Sequence, residues 1–170
     1  MVKWLIPFLA VFIAAPQVTA QAPHPEFLLV PGRSAGRVAI GMQVATLTET
    51  LGRPAKIEND GGRDWYTWQD RLLRSIAVET AQDVVILISI AHDPRYRTRD
   101  GLGDGATADQ VEHALGRPSS LLRLPGYDLL EYRSRGIAFV VDGSRHVTGI
   151  VVAPPVRGGR ATLDRSSGTP

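Results

Sequence analysis

A serine between two glycines is the first pattern in this chain that could carry chemistry. Gly32-Arg33-Ser34-Ala35-Gly36 matches G-x-S-x-G, in which a nucleophilic serine sits on a sharp turn between a strand and a helix. Residues 27–30 could supply the strand, but Pro31 interrupts it and no helical pattern follows at once. The pattern therefore favours an ordinary loop. A small hydrolase that uses Ser34 or a histidine is the alternative enzyme hypothesis.

Acidic and histidine side chains do not fall at the spacings of a metal site. Asp100, Asp104 and Gly105 occupy the first, fifth and sixth positions of a calcium loop, but Leu102 and Val111 stand where the third and twelfth positions need oxygen ligands. The four histidines do not lie at zinc-ligand spacing from one another, and the chain has no Cys. We therefore expect no metal, no cofactor and no catalytic residues.

A short basic run interleaves arginines with one aromatic ring at Arg95, Tyr96, Arg97 and Arg99. Segments of this kind can contact phosphates and other anions. Because the first twenty residues have the pattern of an export signal, an anionic envelope polymer is a better target for this run than nucleic acid. The favoured interpretation is a solvated linker, with polymer binding as an alternative function.

Trp65 and Trp68 lie in one predicted strand, at positions of opposite parity. Alternation along a strand places them on opposite faces, with Trp68 toward the core and Trp65 on the outer face. Leu129 is the counterpart of Trp65 in the second half, and Val85 and Leu87 are expected to join them. Either the two halves cover this face mutually, which we expect, or it is an exposed interaction surface. Trp65 and Leu129 are therefore candidate binding residues.

The elements that position these residues come from a pattern that occurs twice. Gly41 and Leu51-Gly52-Arg53-Pro54 recur as Gly105 and Leu115-Gly116-Arg117-Pro118, 64 positions further along. Each copy ends a helical pattern at a glycine, a residue that often ends helices. Thr107 and Gln110 form a capping box at the start of the second helix. Strand patterns follow each helix, at residues 56–58, 64–69, 73–79 and 84–90, and at 120–124, 128–133, 136–141 and 147–152. The predicted fold is α+β, with two tandem repeats, each a short helix followed by a three- to four-stranded antiparallel meander.

The N-terminal residues predict export. Lys3, an apolar stretch over residues 4–15 and Val18-Thr19-Ala20 form a signal peptide cleaved after Ala20, which places the mature protein in the periplasm or outside the cell. The apolar run is too short for a stable membrane span. The chain has no Cys for a disulfide or a lipid anchor, and its formal net charge is only +2. The predicted boundaries are 1–20 signal peptide, 21–35 N-terminal tail, 36–90 first repeat, 91–100 linker, 101–153 second repeat and 154–170 disordered tail.

The repeated residues resemble a known type of envelope protein. A helix opening at a glycine, the Leu-Gly-x-Pro ending and a meander with an aromatic residue resemble lipoproteins of the BamE (SmpA/OmlA) type. The tandem arrangement is similar to the secreted β-lactamase inhibitor protein, and the likeness covers roughly residues 36–152. It implies a non-catalytic exported protein that works through a sheet surface.

The sequence thus indicates a non-enzymatic exported protein that acts as a protein-interaction or envelope-associated module through a sheet face. The expected partner is another exported or envelope protein, with no nucleic acid and no stable membrane span. The alternatives are a small exported hydrolase and a binder of anionic envelope polymer. The pattern does not predict the oligomeric state.

Overall fold

The structure is a computed structural model that describes residues 24–156. The predicted signal peptide and the tail beyond residue 156 lie outside the described residues. The described residues are mostly β-strand, with two α-helices and two short 3₁₀ turns. The helices are α1 (Val44–Leu51) and α2 (Ala108–Leu115). The strands are β1 (Leu28–Val30), β2 (Ser34–Ala35), β3 (Val38–Ala39), β4 (Lys56–Asp60), β5 (Arg63–Gln69), β6 (Ser75–Ala81), β7 (Val84–Ala91), β8 (Arg97–Thr98), β9 (Ser120–Leu124), β10 (Tyr127–Tyr132), β11 (Ile137–Asp142) and β12 (Val147–Val152).

One large antiparallel sheet dominates the fold. Its eight strands lie in the order β4-β5-β6-β7-β12-β11-β10-β9. The strands on each side of the centre are joined by hairpins, and the two sides meet where β7 pairs with β12, with Ile90 opposite Ile150. A second sheet has four short strands in the order β3-β2-β1-β8, in which β1 and β8 run parallel.

The predicted α+β fold of two tandem helix-plus-meander repeats is wrong. The described chain is mostly strand and forms two sheets, of four and eight strands, with only two α-helices. The physical reason is the β7–β12 ladder, because backbone hydrogen bonds between these strands fuse all eight strands into one sheet. Residues 28–35, expected in the N-terminal tail, contribute β1 and β2, and residues 97–98 of the expected linker form β8.

The hydrophobic core lies on one face of the large sheet. Residues from α1, α2 and the small sheet form a single cluster with the inward side chains of the large sheet. The largest fully buried side chains include Phe139, Leu29, Leu47, Ile88, Ile90 and Ile150. Within residues 24–156, no helix combines the length and the apolar character that crossing a membrane requires.

The two helices end in matched ways at the repeated glycines. Gly52 has φ 78° and ψ −165°, and Gly116 has φ 81° and ψ −167°, so both helices end at the predicted glycines, each with a positive φ. Trp68 Nε1 donates a hydrogen bond to the Gly52 carbonyl oxygen, and the Tyr132 hydroxyl donates one to the Gly116 carbonyl oxygen, both at 3.0 Å. The predicted capping box at Thr107 is also present. An aromatic side chain from the sheet thus fixes the end of each helix.

Gly116→Ala is expected to lower the free energy of unfolding by about 1–3 kcal/mol, because these backbone angles are nearly restricted to glycine. A Cβ at this position would meet nothing within 4 Å, so the cost would come from the backbone alone. Urea unfolding monitored by circular dichroism measures the change. Gly143→Ala is the control, since Gly143 also has open space but no positive φ. Equal stability of the two variants would contradict the helix-end assignment.

Candidate functional site

The face of the large sheet opposite the core carries the candidate site. The ladder sets Trp65 opposite Glu79 and Tyr66 opposite the buried Val78. Trp68 packs against the core, so Trp65 and Trp68 lie on opposite faces, as the alternation predicts. We call the face that carries Trp65 the outer face.

A continuous row of outer-face residues crosses all eight strands. The cross-strand pairs run in the order Lys56, Thr67, Ala77, Ser89, Val151, Ala138, Glu131 and Ser120. The four central members are small or β-branched, so the centre of the face is low compared with its sides. Sheet residues of one face stand close to their cross-strand neighbours, and small ones therefore leave a depression between larger ones.

The depression is a groove of about 460 Å³, and we call it the outer groove. Its floor contains Ala77, Ser89, Ala138 and Val151, and larger side chains at its sides include Trp65 and Leu129. Trp65 and Leu129 are each partly buried, so both keep some surface in contact with solvent. The outer groove crosses the paired strands β7 and β12, so residues from both halves of the sheet line it.

The segment after β12 forms one rim of the outer groove. Ala153 N–H donates to the Gly136 carbonyl oxygen at 3.1 Å, and Val156 N–H donates to the Arg133 carbonyl oxygen at 2.9 Å. A Cβ at Gly136, which has φ 69°, would overlap the Ala153 carbonyl oxygen and the Gly32 backbone. Glycine at position 136 therefore lets this segment lie close to the sheet. Val156 is left 61% exposed at the rim.

Two ion pairs lie beside the outer groove. Arg63 Nη1 is 2.7 Å from Glu79 Oε1, and Arg133 Nη2 is 2.7 Å from Glu131 Oε2. The side chains of Arg63 and Arg133 are 61% and 59% exposed, whereas those of Glu79 and Glu131 are 8% and 24% exposed. In each of these two pairs, the guanidinium group is therefore the more exposed charge.

The expectation that the two halves cover this face mutually is wrong, because β7 and β12 join them side by side in one sheet. The expectation for Val85 is also wrong, since Val85 is fully buried while Leu87 lines the outer groove. The ladder between β6 and β7 shifts register between Glu79 and Thr80, so that Leu87 pairs with Glu79 and Val85 with Thr80. A bulge of this kind changes which side chains share a face.

Sequence reasoning missed the floor of the outer groove and the two ion pairs. Glu79 could have been recognised as a member of an ion pair, because it is the one charged residue of the strand Ser75–Ala81 and a buried carboxylate needs a partner. The small floor residues carry no comparable signal, since Ala and Ser are common in any strand. Their role depends on which strands become neighbours.

The predicted basic run lies elsewhere and is partly tied to the protein itself. Arg95 forms two hydrogen bonds with the Asp93 carboxylate, at 2.8 and 2.6 Å, and its guanidinium lies 4.6 Å from the Phe27 ring centroid. Tyr96 packs edge-on to Phe27 at 5.3 Å, and burial raises the pKa of its hydroxyl. Arg97 donates to the Gly101 and Asp104 carbonyl oxygens. Arg99 is exposed.

The structure therefore brings Trp65 and Leu129 together in the outer groove and leaves the basic run outside it. Arg95 and Tyr96 border a separate depression. The Arg95 and Arg97 guanidiniums are engaged with the protein's own oxygen atoms, which leaves Arg99 as the most accessible cation of the run.

Asp93 is expected to contribute stability that is lost in acid. Burial acts to raise the pKa of its carboxyl, but hydrogen bonds from Arg95 outweigh burial and the net pKa is lowered. A carboxyl whose pKa is lower in the folded state stabilises the fold above its unfolded pKa of about 3.9, and loses that effect as the pH falls through the folded value. In urea unfolding across this acid range, the stability deficit of Asp93→Asn should shrink as the pH falls. Asp60→Asn is the control for loss of one exposed negative charge. A deficit that stays constant down to the lowest pH would contradict the role of this carboxylate.

Ser34 does not lie in the setting that a nucleophilic serine requires. It is in β2, paired with Val30 and Ala39, and a turn at Gly36 leads into β3 rather than into a helix. No histidine of the described chain hydrogen-bonds to its hydroxyl. Within residues 24–156, no group of three or more His, Asp or Glu side chains is arranged to hold a metal ion.

Comparison with known proteins finds likeness in fold only. No protein-family model and no curated protein matches the chain. A cysteine-rich secretory protein from Staphylococcus aureus matches with a TM-score of 0.52 and 15% identity, over 73% of this chain and 48% of that one. A DUF4309 family protein from Bacillus subtilis matches with a TM-score of 0.52 and 14% identity, over 72% of this chain and 88% of that one.

A proposed β-lactamase inhibitor protein from Streptococcus mutans matches with 16% identity, over 71% of this chain and 88% of that one, but its TM-score of 0.29 is too low to indicate a shared fold. A tandem repeat of the BamE type is not confirmed. The chain spans about half the length of the staphylococcal protein.

Proposed function

We propose that this protein is an exported, non-enzymatic module that binds a partner protein through the outer groove. The observation that carries the proposal is an open, mainly apolar groove that includes Trp65 and Leu129 and crosses the middle of a sheet. Contiguous apolar surface of this kind is costly to leave in water and is typical of interaction sites. Aromatic anchors near the centre of a contact surface often contribute most of its binding energy.

The charges around the outer groove define the partner further. Arg63 and Arg133 expose their guanidiniums while the paired carboxylates lie deeper in the face. A protein segment that presents apolar side chains flanked by Asp or Glu fits this arrangement. The apolar side chains would occupy the groove, and the carboxylates would meet the guanidiniums at its margins.

The proposed location is the periplasm or the extracellular space, after cleavage behind Ala20. The signal-peptide pattern supports it. The fold likeness to a protein named as secretory agrees with it. The non-enzymatic part of the proposal is supported by the position of Ser34 in a paired strand, away from any described histidine side chain that could activate it.

Site-specific photo-crosslinking tests the proposal in the cells that make the protein. A photoreactive residue at position 129 should capture one partner protein, whereas the same residue at position 72 should not. Leu72 is the matched control because it is 69% exposed and apolar but does not line the outer groove. The captured protein is then purified and titrated against the full mature chain at low and high salt. We expect weaker binding at high salt, since the exposed guanidiniums are screened. Equal capture at both positions, or none at 129, would count against the outer groove.

A further inference from the structure

The large sheet has two edges, and they differ sharply in chemistry. Among the described residues, β4 pairs only with β5, and β9 pairs only with β10. An edge strand presents unpaired backbone N–H and C=O groups that can pair with a strand from another molecule. Charged side chains on the edge are a common protection against such pairing.

Strand β4 has more of this protection than β9, because three of the five residues of β4 are charged and only one of the five residues of β9 is. The sequence of β4 is Lys-Ile-Glu-Asn-Asp, and that of β9 is Ser-Leu-Leu-Arg-Leu. Leu121 and Leu122 are 48% and 47% exposed, on opposite faces of the strand, and Tyr127 in the adjoining strand is 42% exposed. Three of the exposed large apolar side chains of the described chain therefore gather at this one edge.

We propose that β9 pairs antiparallel with β9 of a second copy of this chain, about a two-fold axis at Leu122. In this register Leu122 lies opposite its own counterpart, Leu121 lies opposite Arg123, and Ser120 lies opposite Leu124. Outer-face residues meet outer-face residues, because partners in an antiparallel pair project to the same side. The ladder hydrogen bonds pair the backbone N–H and C=O groups of the edge, and the Leu122 contact buries its exposed apolar surface.

Charge favours a second β9 as the occupant over the β4 edge of another copy. Arg123 already lies opposite Asp128 within its own sheet, so the β9 edge carries little net charge. Pairing of β9 with β4 would desolvate Asp60 against leucines, and Glu58 would keep only its ion pair with Lys56 of its own strand. Pairing of β4 with itself would bring acidic strands together, which destabilises a ladder.

The proposed dimer has a geometric consequence for the outer groove. Leu122 pairs with Leu129, which borders the groove, so the outer face continues across the new ladder. With the two-fold axis perpendicular to the sheet, the two grooves of the dimer open on the same side. The assembly would present two binding sites to partners on one surface.

Sedimentation equilibrium of the purified mature chain tests the inference. The unaltered protein should show a concentration-dependent monomer–dimer equilibrium. Leu122→Lys should raise the dimer dissociation constant by roughly tenfold or more, because it removes the central apolar contact and places like charges opposite each other. Ile57→Lys is the matched control, since Ile57 is a 59% exposed apolar residue on the β4 edge. It should leave the equilibrium unchanged. A protein that stays monomeric throughout the series, or equal weakening by both variants, would overturn the proposal.

A crosslinking test does not depend on the stability of the lysine variant. Because the chain has no Cys, Leu122→Cys introduces a single thiol. Opposite residues in an antiparallel pair have Cα atoms about 4.5–5.5 Å apart, within the range that a disulfide spans. Mild oxidation should therefore give a covalent dimer with Leu122→Cys and not with Ile57→Cys. A dimer formed equally by both, or by neither, would reject the β9 interface.

Discussion

Replacing Phe139 with alanine is expected to lower the free energy of unfolding by about 3–5 kcal/mol. Phe139 is fully buried in β11, between Leu130 on β10 and Ile150 on β12. Its ring lies edge-on to the Tyr132 ring, with centroids 6.2 Å apart. The substitution removes a large apolar side chain from the core and leaves a cavity that rigid sheet neighbours can only partly close. The loss of the aromatic contact with Tyr132 adds to the cost.

The control for this prediction lies one residue further along β11. Val140 projects to the outer face and is half-buried, so Val140→Ala should cost about 1 kcal/mol or less. Urea denaturation of both variants, followed by intrinsic tryptophan fluorescence and circular dichroism, gives the comparison. Similar losses for the two substitutions would contradict the assignment of the core and outer faces of β11.

Features that depend on a few neighbouring residues could be predicted from the sequence. The capping box at Thr107 and the helix ends at Gly52 and Gly116 involve contacts within one or two turns. The opposite orientation of Trp65 and Trp68 follows from strand alternation alone. These features are present because local backbone chemistry determines them, whatever the arrangement of the strands.

The pairing of β7 with β12 could not be predicted in the same way. Two antiparallel meanders can stack face to face or join edge to edge, and the alternation of apolar residues along each strand is compatible with both. The short strands of the small sheet could not be predicted either, since two-residue strands such as β2 and β8 are too short to show a periodicity. The choice between stacking and joining depends on long-range contacts of the whole chain.

The outer groove could not be predicted for the same reason, because it depends on the pairing of β7 with β12. Ala77 and Val151 become floor residues only because β7 and β12 are neighbours. The local sequence pattern of each strand does not predict which strands become neighbours. The bulge near Thr80 has a similar effect on a smaller scale, because it separates Val85 from Leu87. Trp65 and Leu129 could be selected from the sequence, but the surface between them could not.

Replacing Trp65 with alanine is expected to weaken partner binding by about 2 kcal/mol or more, which is roughly 30-fold in the dissociation constant. Trp65 is only partly buried and stands beside Glu79, which pairs in turn with Leu87, at the side of the outer groove. Its ring can therefore bury further apolar surface against a partner. The same partial exposure limits its share in folding, so the free energy of unfolding should fall by only about 1 kcal/mol.

Isothermal titration with the partner captured at position 129 measures the binding change, and urea unfolding measures the stability change. Leu72→Ala is the matched control, because it removes an exposed apolar side chain away from the groove and should alter neither quantity appreciably. A loss of 3–5 kcal/mol in unfolding with unchanged binding would mean that Trp65 acts as a core residue. Unchanged stability together with unchanged affinity would remove Trp65 from both roles. Only a binding loss well above the folding loss is consistent with an aromatic anchor on an open sheet face.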